Sequence, residues 1–557
     1  MSKFDYSLSA AQTAAVMGGS NIFLRACPGA GKTRSVAARA AMLADAGKSL
    51  ALLSYTRVGA SEIGGTIVQE YGVPLSDRHF IGTLHSFLTQ YILRPYGHLI
   101  TGSVDAMSID EDAVTRQAPV GLNPNEFQYG IDGVMTRTRG SISRPDELTE
   151  MAAFRRDLAR SGVVNFNDAI SISLQVLTKF PVIARALADR FDEILIDEAQ
   201  DTNEHLLACV RAIVNAGLKS LVLVGDYDQA IYEFIGSVPT GCENLASDVG
   251  METRELRENF RSSQLICNAA AEMRGGGDPD IAAGPYRDLT VPPLVLRYDP
   301  GSQHELLDRF QSLMARTGLT IQTSAALVRK AGFAETLDGS ARPSVPSGLK
   351  ALVAAVSGRA LTLDDYRNLE DIIIQRSFPS IRRPTGLDRS LIRARAVQLV
   401  AELPTLSGDL ATWARSATDS LDRVARELSP LTTSNLAPIP TPHRWSGVDA
   451  SRLRVEEQQR VEVLTIHSVK GRSIDAVMLV AQPPERAFHT SNADSWSNGI
   501  GRPRAAMTEE LRLGYVAVTR ARMLAVVAIP SNTPQHIADR WLRAGFQPEE
   551  SVSARRS

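Results

Sequence analysis

The chain has 557 residues, of which 44% are hydrophobic and 22% are charged, and its net charge at pH 7 is −2. This length is too great for a single hydrophobic core, and the composition is that of a folded chain rather than a largely disordered one. Because the chain has no global excess of positive charge, a nucleic-acid ligand would require a local cationic groove.

The sequence predicts neither a membrane span nor a structural metal. No apolar run approaches the ~18 residues that a transmembrane helix needs, and the N-terminus, with Asp5, does not resemble a signal peptide. The 4 cysteines form no CxxC pair and the 9 histidines are scattered along the chain. A disulfide framework or a zinc site is therefore not expected, and we expect a cytoplasmic protein without a membrane partner.

The first predicted element is a strand, a glycine-containing loop and a helix, in that order. An apolar strand over residues 21–24 runs into a loop that ends in Lys32 and Thr33, and a helical pattern follows. Small residues allow backbone N–H groups to converge on phosphate oxygens, and the helix N-terminus adds a favourable dipole. Lys32 is predicted to reach the β- and γ-phosphates of ATP, and Thr33 to hold Mg²⁺. The alternative is a glycine-rich turn that binds nothing. The predicted nucleotide-binding residues here are Ala26, Pro28, Gly29, Ala30, Gly31, Lys32, Thr33 and Arg34.

Two later apolar strands end in acidic or amide side chains. The strand that ends at Asp197 can place this carboxylate beside Mg²⁺, and Glu198 would then deprotonate an attacking water. Gln229 follows the next strand, over residues 221–224. Its side-chain amide can both donate and accept hydrogen bonds, which suits a residue that senses the γ-phosphate. The alternative for such an acidic strand end is a solvated cap of the following helix.

Two arginines further along the chain carry the charge that phosphoryl transfer requires. Arg261 follows Asn259 and Phe260, and Arg520 follows Thr519. Positive charge at the γ-phosphate stabilises the transition state, and such arginines often come from a facing domain. Because the chain is rich in arginine, the alternative for each is an ordinary surface residue.

In this order the motifs resemble those of the UvrD/Rep family of superfamily 1 helicases. Several matches in family order are far more specific than any one of them. The similar segments are the glutamine motif around Gln12, SYTR at 54–57, GTLHS at 82–86, NFND at 165–168, DEAQD at 197–201, GDYDQAIYEF from Gly225, LTIHSVKG at 464–471 and YVAVTRA at 515–521. The resemblance implies an ATP-dependent helicase that uses ATP and Mg²⁺ and moves along single-stranded DNA from 3′ to 5′ towards duplex junctions.

The resemblance also implies the fold and its boundaries. We expect an α/β protein with two RecA-like P-loop motor domains that hold ATP between them, each with an inserted, mainly helical subdomain. The predicted boundaries are 1–92 and 161–250 for motor one, 93–160 for its insertion, 251–345 and 456–557 for motor two with the tail, and 346–455 for the compact second insertion.

Further site residues follow from the resemblance alone. Gln12 would read the adenine, and Phe260 and Gly471 would contact the nucleotide. Stacking of Tyr55 and Tyr232 on bases would suit a motor, because stacking tolerates any sequence. The alternative for the aromatic residues is an ordinary core position, and the histidines could equally be structural. The residues implied to contact DNA are Tyr55, Thr56, Thr83, His85, Tyr232, Phe234, Thr465, His467 and Lys470.

Two positions depart from the family pattern. After Gly471 the family has a glutamate that reaches the ribose, where this chain has Arg472-Ser473-Ile474, and Ile235 replaces an arginine. These departures leave open a second function, a regulatory ATPase subunit that senses DNA and controls a partner nuclease, as in the compact helicase subunit of Gabija-type anti-phage systems. The arginine-rich stretch 376–395 also has two interpretations, a duplex-contacting patch or, as we favour, a solvated helix face.

Overall fold

The computed structural model of the chain divides into two units, and each contains parallel β-strands. Unit one comprises Met1–Arg297 and Ile466–Ser557, and unit two comprises Tyr298–Thr465. The residues that the structure describes are 8–138, 142, 144, 146–231, 239–337, 347–356, 361, 363–378, 388–428, 449–450, 461–483, 491–502 and 507–552.

The strands and helices follow one another in an alternating order for most of the chain. The strands are β1 (Ile22–Ala26), β2 (Leu50–Ser54), β3 (Phe80–Thr83), β4 (Ser108–Ile109), β5 (Phe127–Tyr129), β6 (Met135–Arg137), β7 (Val163–Val164), β8 (Glu193–Asp197), β9 (Leu221–Gly225), β10 (Glu252–Leu256), β11 (Glu258–Asn259), β12 (Ile281–Ala282), β13 (Leu294–Tyr298), β14 (Ser324–Val328), β15 (Glu462–Thr465), β16 (Ile474–Val480), β17 (Ala521–Pro530) and β18 (Gln547–Pro548). The helices are α1 (Ala10–Val16), α2 (Lys32–Asp45), α3 (Arg57–Gln69), α4 (Leu84–Leu88), α5 (Arg94–Tyr96), α6 (His98–Thr101), α7 (Glu111–Gln117), α8 (Glu147–Arg160), α9 (Phe166–Lys179), α10 (Pro181–Arg190), α11 (Glu204–Asn215), α12 (Pro239–Val249), α13 (Gln264–Met273), α14 (Leu306–Thr317), α15 (Ala331–Leu337), α16 (Ser347–Val356), α17 (Leu363–Ser377), α18 (Arg389–Glu402), α19 (Leu410–Leu428), α20 (Asn492–Ser497), α21 (Glu509–Val518) and α22 (Gln535–Arg543).

The first sheet of unit one has the strand order β10-β1-β9-β8-β2-β3, and its neighbouring strands run parallel. Its central strands are nearly continuous apolar runs, as expected of parallel strands that helices cover on both faces. Successive side chains point to opposite faces. Phe23 and Leu53 accordingly pack with α9 and α11, whereas Leu24 and Leu52 pack with α2 and α3. The parallel arrangement brings the carboxyl ends of β1, β9, β8 and β2 to one edge.

Between β3 and β8 the chain leaves the sheet and forms the helices α4 to α10 with two short strand pairs, β4–β7 and β5–β6. A buried ion pair joins these elements. Arg155 donates through Nη1 to Asp168 Oδ1 at 2.9 Å and through Nη2 to the Phe127 carbonyl at 2.9 Å. Removing one partner of a buried pair leaves an uncompensated charge, so this contact fixes α8 against α9.

Unit one also contains the strands β16, β17, β13 and β18, which are neighbours in that order in a second sheet. β16 and β17 are parallel and almost entirely buried, and α21 packs on both. The backbone N–H of Ile474, at the start of β16, donates to the Arg520 carbonyl at 3.0 Å. The start of β16 and the end of α21 are therefore held together.

Unit two contains the parallel pair β14 and β15 and a helical cluster of α16 to α19. The cluster core is apolar and includes Trp413, whose indole donates to the Pro404 carbonyl at 2.9 Å. Three arginines of the arginine-rich stretch are ion-paired within this cluster, so carboxylates of the same cluster already balance their charges. These pairs are Arg376 with Asp422, Arg393 with Glu370 and Arg395 with Glu427.

Within the part of the chain that the structure describes, no single helix has the length and apolar character needed to cross a membrane. The bent pair α9 and α10, with 98° between its members, meets the criteria of length and composition when taken together. Both helices contribute to the core of unit one.

Candidate active site

The glycine-containing loop connects β1 to α2, and two of its glycines adopt left-handed backbone conformations. Gly29 has a φ of +72° and Gly31 a φ of +70°. A Cβ at Gly29 would lie 2.6 Å from the Arg261 Cβ, and one at Gly31 would lie 2.7 Å from Gln12 Nε2. Conformation and close approach therefore both require glycine. The Gly29 carbonyl accepts from the backbone N–H of Phe260 at 3.0 Å, which joins the loop to the segment that carries Arg261.

Helix α2 begins at Lys32 without a side-chain cap. The first N–H groups of such a helix have no intrahelical partners, and they carry a partial positive charge. This geometry suits the phosphate-binding role that the sequence predicts for the loop.

Opposite the loop lies a cavity of about 700 Å³, and all of its lining residues belong to unit one. It brings together most of the residues that the sequence predicts for the nucleotide. The predicted residues that line it are Pro28, Gly29, Ala30, Gly31, Lys32, Thr33, Arg34, Tyr55, Thr56, Asp197, Glu198, Gln229, Phe260, Arg261, His467, Lys470, Gly471 and Arg520. Ala26 ends β1, and Gln12 reaches the loop by donating from Nε2 to the Ala30 carbonyl at 2.9 Å.

The acidic end of β8 faces the loop lysine. Glu198 follows the strand with a φ of +52°, a left-handed conformation that costs a non-glycine residue about 1–2 kcal/mol. Its Oε2 lies 3.8 Å from Lys32 Nζ and accepts from Gln200 Nε2 at 2.6 Å. The strained backbone thus aims the carboxylate into the cavity, where it is held by two partners.

The charges of this acidic end are strongly coupled. Burial opposes the ionisation of Glu198, but the charges of Lys32 and Lys470 and the Gln200 hydrogen bond outweigh it and lower the pKa of Glu198. Burial and the Glu198 charge raise the pKa of Asp197. Although burial alone would lower the pKa of Lys32, the surrounding carboxylates, Glu198 first, raise it. At neutral pH the cavity therefore contains a carboxylate at Glu198 and an ammonium at Lys32.

Asp197 and Thr33 fit a divalent cation. Both line the cavity, and Asp197 Oδ1 is buried with no hydrogen-bond partner among the described residues. A buried, unpaired carboxylate oxygen and a hydroxyl in the lining of one cavity are oxygen ligands of the kind that the hard cation Mg²⁺ prefers.

Gln229 joins the two halves of the site. Arg520 Nη2 donates to Gln229 Oε1 at 2.7 Å, and Gln229 Nε2 donates to Thr519 Oγ1 at 3.2 Å. Arg520 is also fixed by its Nε, which donates to the Val516 carbonyl at 3.2 Å. The loop after β9 is therefore in direct contact with the turn that connects α21 to β17.

Arg261 is held on three sides. Its backbone N–H donates to Asn259 Oδ1 at 2.8 Å, its Nε to Ser473 Oγ at 2.7 Å and its Nη1 to the Thr519 carbonyl at 3.0 Å. Burial, followed by the charge of Arg520, lowers the pKa of Arg261, and burial lowers that of Arg520 as well. Two crowded, desolvated guanidinium groups favour an anion beside them.

Lys470 lies on the nucleotide side of the structure. Its Nζ donates to Asp201 Oδ1 at 2.7 Å, to Asp201 Oδ2 at 2.6 Å and to the Gln229 carbonyl at 3.0 Å. The side chain of Asp201 is 2% exposed. The Lys470 ammonium is thus bound by the buried carboxylate of Asp201. Contact between Lys470 and DNA stays a prediction.

Thr56, Thr83 and His85, which are also predicted to contact DNA, lie at or beyond the carboxyl edge of the first sheet. Thr56 and Thr83 cap α3 and α4, and their hydroxyls accept from the backbone N–H groups of Gly59 and Ser86 at 3.0 and 3.1 Å. His85 packs edge-on against Phe166 with ring centroids 5.7 Å apart, and burial lowers its pKa.

Of the remaining residues predicted for DNA, the structure describes Thr465 alone. Thr465 ends β15 in unit two. Tyr232 and Phe234 lie outside the described residues, as does Ile235.

Sequence reasoning missed several residues of the site. Ser473 and Thr519 touch Arg261, Asn259 orders its backbone, and Asp201 binds Lys470. Asp201 closes the DEAQD segment, Thr519 lies within the YVAVTRA segment and Ser473 stands at a departure from the family pattern, but none of these local signals indicated the contacts with Lys470 or Arg261. Phe166 was also missed as a surface residue, although it is 46% exposed at the start of α9.

The site combines a glycine loop before a helix, a carboxylate pair at the end of β8 and two buried or half-buried arginines. These features define a P-loop nucleotide-binding protein of the motor class that contains two α/β folds. A sequence model described as the UvrD/REP helicase N-terminal domain matches residues 8–250, and one described as the UvrD-like helicase C-terminal domain matches residues 443–530. The matches together cover more than half of the chain, which belongs to the UvrD/REP helicase family. The predicted α/β class with two RecA-like motor domains is thereby confirmed.

Similar curated proteins carry helicase names. The ATP-dependent DNA helicase UvrD1 of Mycobacterium leprae is 27% identical over 379 residues, which are 60% of this chain and 48% of the relative. The ATP-dependent DNA helicase PcrA of Bacillus subtilis is 24% identical over 278 residues, 45% of this chain and 37% of the relative. DNA helicase II of Escherichia coli is 27% identical over 286 residues, 45% and 38% of the two chains. The chain thus aligns with about half or less of the length of these relatives.

Proposed function

We propose that the chain is an ATP-driven motor on single-stranded DNA, which translocates from 3′ to 5′ and separates duplexes at junctions. One observation carries the proposal. A single cavity in unit one holds the loop lysine, the strand-end carboxylates and two arginines, and Gln229 contacts Arg520 across it at 2.7 Å. Two folds that share one nucleotide site can convert nucleotide turnover into relative movement.

In the proposed hydrolysis step, the backbone of the loop and Lys32 bind the β- and γ-phosphates. A γ-phosphate gives Lys32 a second anionic partner, so Glu198 is released to take the proton of an attacking water. Arg261 and Arg520 stabilise the charge that develops on the γ-phosphate oxygens. Mg²⁺, held by Thr33 and Asp197, would neutralise charge on the phosphates when bound.

Adenine recognition is proposed for Gln12. Its Oε1 accepts from the Ser9 backbone N–H at 2.9 Å, and its Nε2 donates to the Ala30 carbonyl at 2.9 Å. These contacts hold the amide directly behind the loop, and an amide can both donate and accept, as the adenine edge requires. Phe260 and Gly471, which line the cavity, are proposed to contact the nucleotide.

The proposed DNA path follows the carboxyl edge of the first sheet. Thr83 is paired in register with Ser54, which precedes Tyr55, and His85 with Phe166 follows along the same edge. An exposed aromatic ring next to hydroxyls and N–H groups suits stacked bases and a sugar–phosphate backbone, without selection for sequence. Tyr232 and Phe234 are proposed as further stacking residues on the strength of the family resemblance.

The alternative function is a DNA-sensing ATPase subunit that controls a partner nuclease, as in Gabija-type systems. Its support is the departure at Ser473, where the family pattern has a carboxylate, together with the departure at Ile235. Both functions require the same ATP chemistry, and they differ in whether turnover separates strands.

A strand-displacement assay on matched duplexes tests the proposal. The substrates are one duplex with a 3′ single-stranded tail, one with a 5′ tail and one with blunt ends, each with ATP and Mg²⁺ in excess. The proposed function predicts displacement of the 3′-tailed duplex alone. ATP hydrolysis without displacement of any substrate would favour the regulatory alternative, and preference for the 5′ tail would contradict the proposed direction.

A further inference from the structure

Ser473 stands at the junction of the two arginines of the site. Its Oγ accepts from Arg261 Nε at 2.7 Å, and it lines the nucleotide cavity. The next residue, Ile474, binds the Arg520 carbonyl through its backbone N–H at 3.0 Å. The position of Ser473 is therefore set by the same backbone that fixes Arg520.

The remaining contacts of Arg261 hold its backbone and one end of its guanidinium. Asn259 accepts from the Arg261 N–H at 2.8 Å, and the Thr519 carbonyl accepts from Nη1 at 3.0 Å. Among the hydrogen bonds described for Arg261, the one to Ser473 is formed by Nε and is made to a side chain. An arginine side chain has several rotatable bonds, and a partner at Nε together with one at Nη1 fixes the plane of the guanidinium.

A hydroxyl at this position differs physically from a carboxylate. A carboxylate 2.7 Å from the guanidinium would form an ion pair and cancel much of the positive charge that the γ-phosphate needs. The hydroxyl accepts the same hydrogen bond without adding negative charge. It can therefore orient Arg261 while leaving its full charge for the phosphate.

We propose that Ser473 is a positioning residue for ATP hydrolysis, which orients the guanidinium of Arg261 towards the γ-phosphate. The role rests on the proposed function, because it has meaning only if Arg261 acts in hydrolysis. Ser473 itself touches neither the attacking water nor the leaving group.

The test compares steady-state ATP hydrolysis at saturating single-stranded DNA for the wild type, Ser473→Ala, Ser473→Thr, Arg261→Ala and the double variant Arg261→Ala/Ser473→Ala. Ser473→Ala is expected to lower kcat about tenfold, as for a lost hydrogen bond to a charged group, with KM for ATP within about twofold of the wild type. Ser473→Thr keeps the hydroxyl and should retain most of kcat. In the Arg261→Ala background, Ser473→Ala should have no further effect, because the group that it orients is gone.

The possible failures are distinguishable. A wild type that hydrolyses no ATP overturns the proposed function and this role with it. An active wild type with an equally active Ser473→Ala, or with the same loss from Ser473→Ala in both backgrounds, overturns the role of Ser473 alone. A Ser473→Thr variant as slow as Ser473→Ala at an unchanged melting temperature also contradicts it, since the hydroxyl would then be irrelevant.

Discussion

Glu198 and Lys32 are oppositely charged groups that face each other at the loop, with Oε2 and Nζ 3.8 Å apart. Glu198 has a lowered pKa and is an ionised base at neutral pH, and Lys32 has a raised pKa and is a cation. Each of them therefore has the charge that its proposed role requires. Substitutions that remove one of the two charges at a time separate the role of Glu198 from that of Lys32.

Glu198→Gln is expected to bind ATP but to turn it over about 10²–10⁴ times more slowly, because a general base is lost while the amide keeps the shape. The measurement is kcat together with the dissociation constant of a nucleotide analogue. A loss of binding as large as the loss of rate would mean that Glu198 is structural and not the base.

Lys32→Ala is expected to abolish ATP hydrolysis without unfolding the chain, since the side chain faces the cavity rather than an apolar core. Lys48→Ala is the matched control, because Lys48 is an exposed lysine that follows the end of α2 and pairs with Asp192. Its ATPase should equal that of the wild type, as exposed ion pairs contribute ~0–1 kcal/mol. Wild-type turnover by Lys32→Ala at saturating ATP would show that the loop does not bind the phosphates.

At the scale of elements, the local patterns predicted the loop between β1 and α2 and the acidic end of β8. Each of these lies within one continuous segment, where glycine, lysine and strand-end carboxylates have a recognisable spacing. The contacts that complete the site are different in kind. Arg261 with Ser473 and Gln229 with Arg520 join segments separated by 212 and 291 residues, and no local pattern reports such a contact.

The short strand pair β5–β6 and the buried pair of Arg155 with Asp168 were unpredicted for the same reason. Asp168 was noticed as part of the NFND segment, but its partner lies on α8, where nothing distinguishes one arginine from its neighbours. Burial, which gives that arginine its importance, is a property of the packed elements and not of the local sequence.

Two glycines with almost the same backbone conformation test how the loop is supported. Gly29 and Gly47 have φ values of +72° and +76°, but only at Gly29 would a Cβ collide, at 2.6 Å from the Arg261 Cβ. Gly29→Ala is expected to displace the loop or Arg261 and to remove most of the ATPase. Gly47→Ala should cost only the left-handed strain of about 1–2 kcal/mol and keep full activity. Thermal unfolding and ATPase are measured together, and equal losses of activity in the two variants would contradict the close packing of Arg261 behind the loop.

At the scale of the whole molecule, all residues that line the nucleotide cavity belong to unit one, which contains the first sheet and the strands β16 and β17. Arg520, which precedes β17, contacts Gln229 after β9, and Lys470, which precedes β16, contacts Asp201 after β8. A ligand shifts the protein towards the conformation that it binds more tightly. If nucleotide or DNA binds more tightly when these two contacts are formed, its binding would therefore favour hydrolysis.

Arg520→Ala is expected to remove the DNA-stimulated ATPase while DNA affinity stays close to that of the wild type. The reason is that Arg520 is buried in the nucleotide cavity, where its guanidinium donates to Gln229 and is not accessible to a DNA backbone. Arg543→Ala, an exposed arginine at the end of α22, serves as the control and should behave as the wild type. The measurements are ATPase at saturating DNA and binding of a labelled oligonucleotide. A parallel loss of DNA affinity in Arg520→Ala would contradict its assignment to the nucleotide.

The most direct test of an ATP-driven motor on single-stranded DNA measures the ATPase rate of the wild type as a function of oligonucleotide concentration. The Lys32→Ala variant, measured in parallel, gives the rate that does not come from the nucleotide site. The proposed motor should have a low rate without DNA, and this rate should rise and saturate as single-stranded DNA is added. Lys32→Ala should show no rise. A wild-type rate that is indifferent to single-stranded DNA and RNA of any length would contradict it.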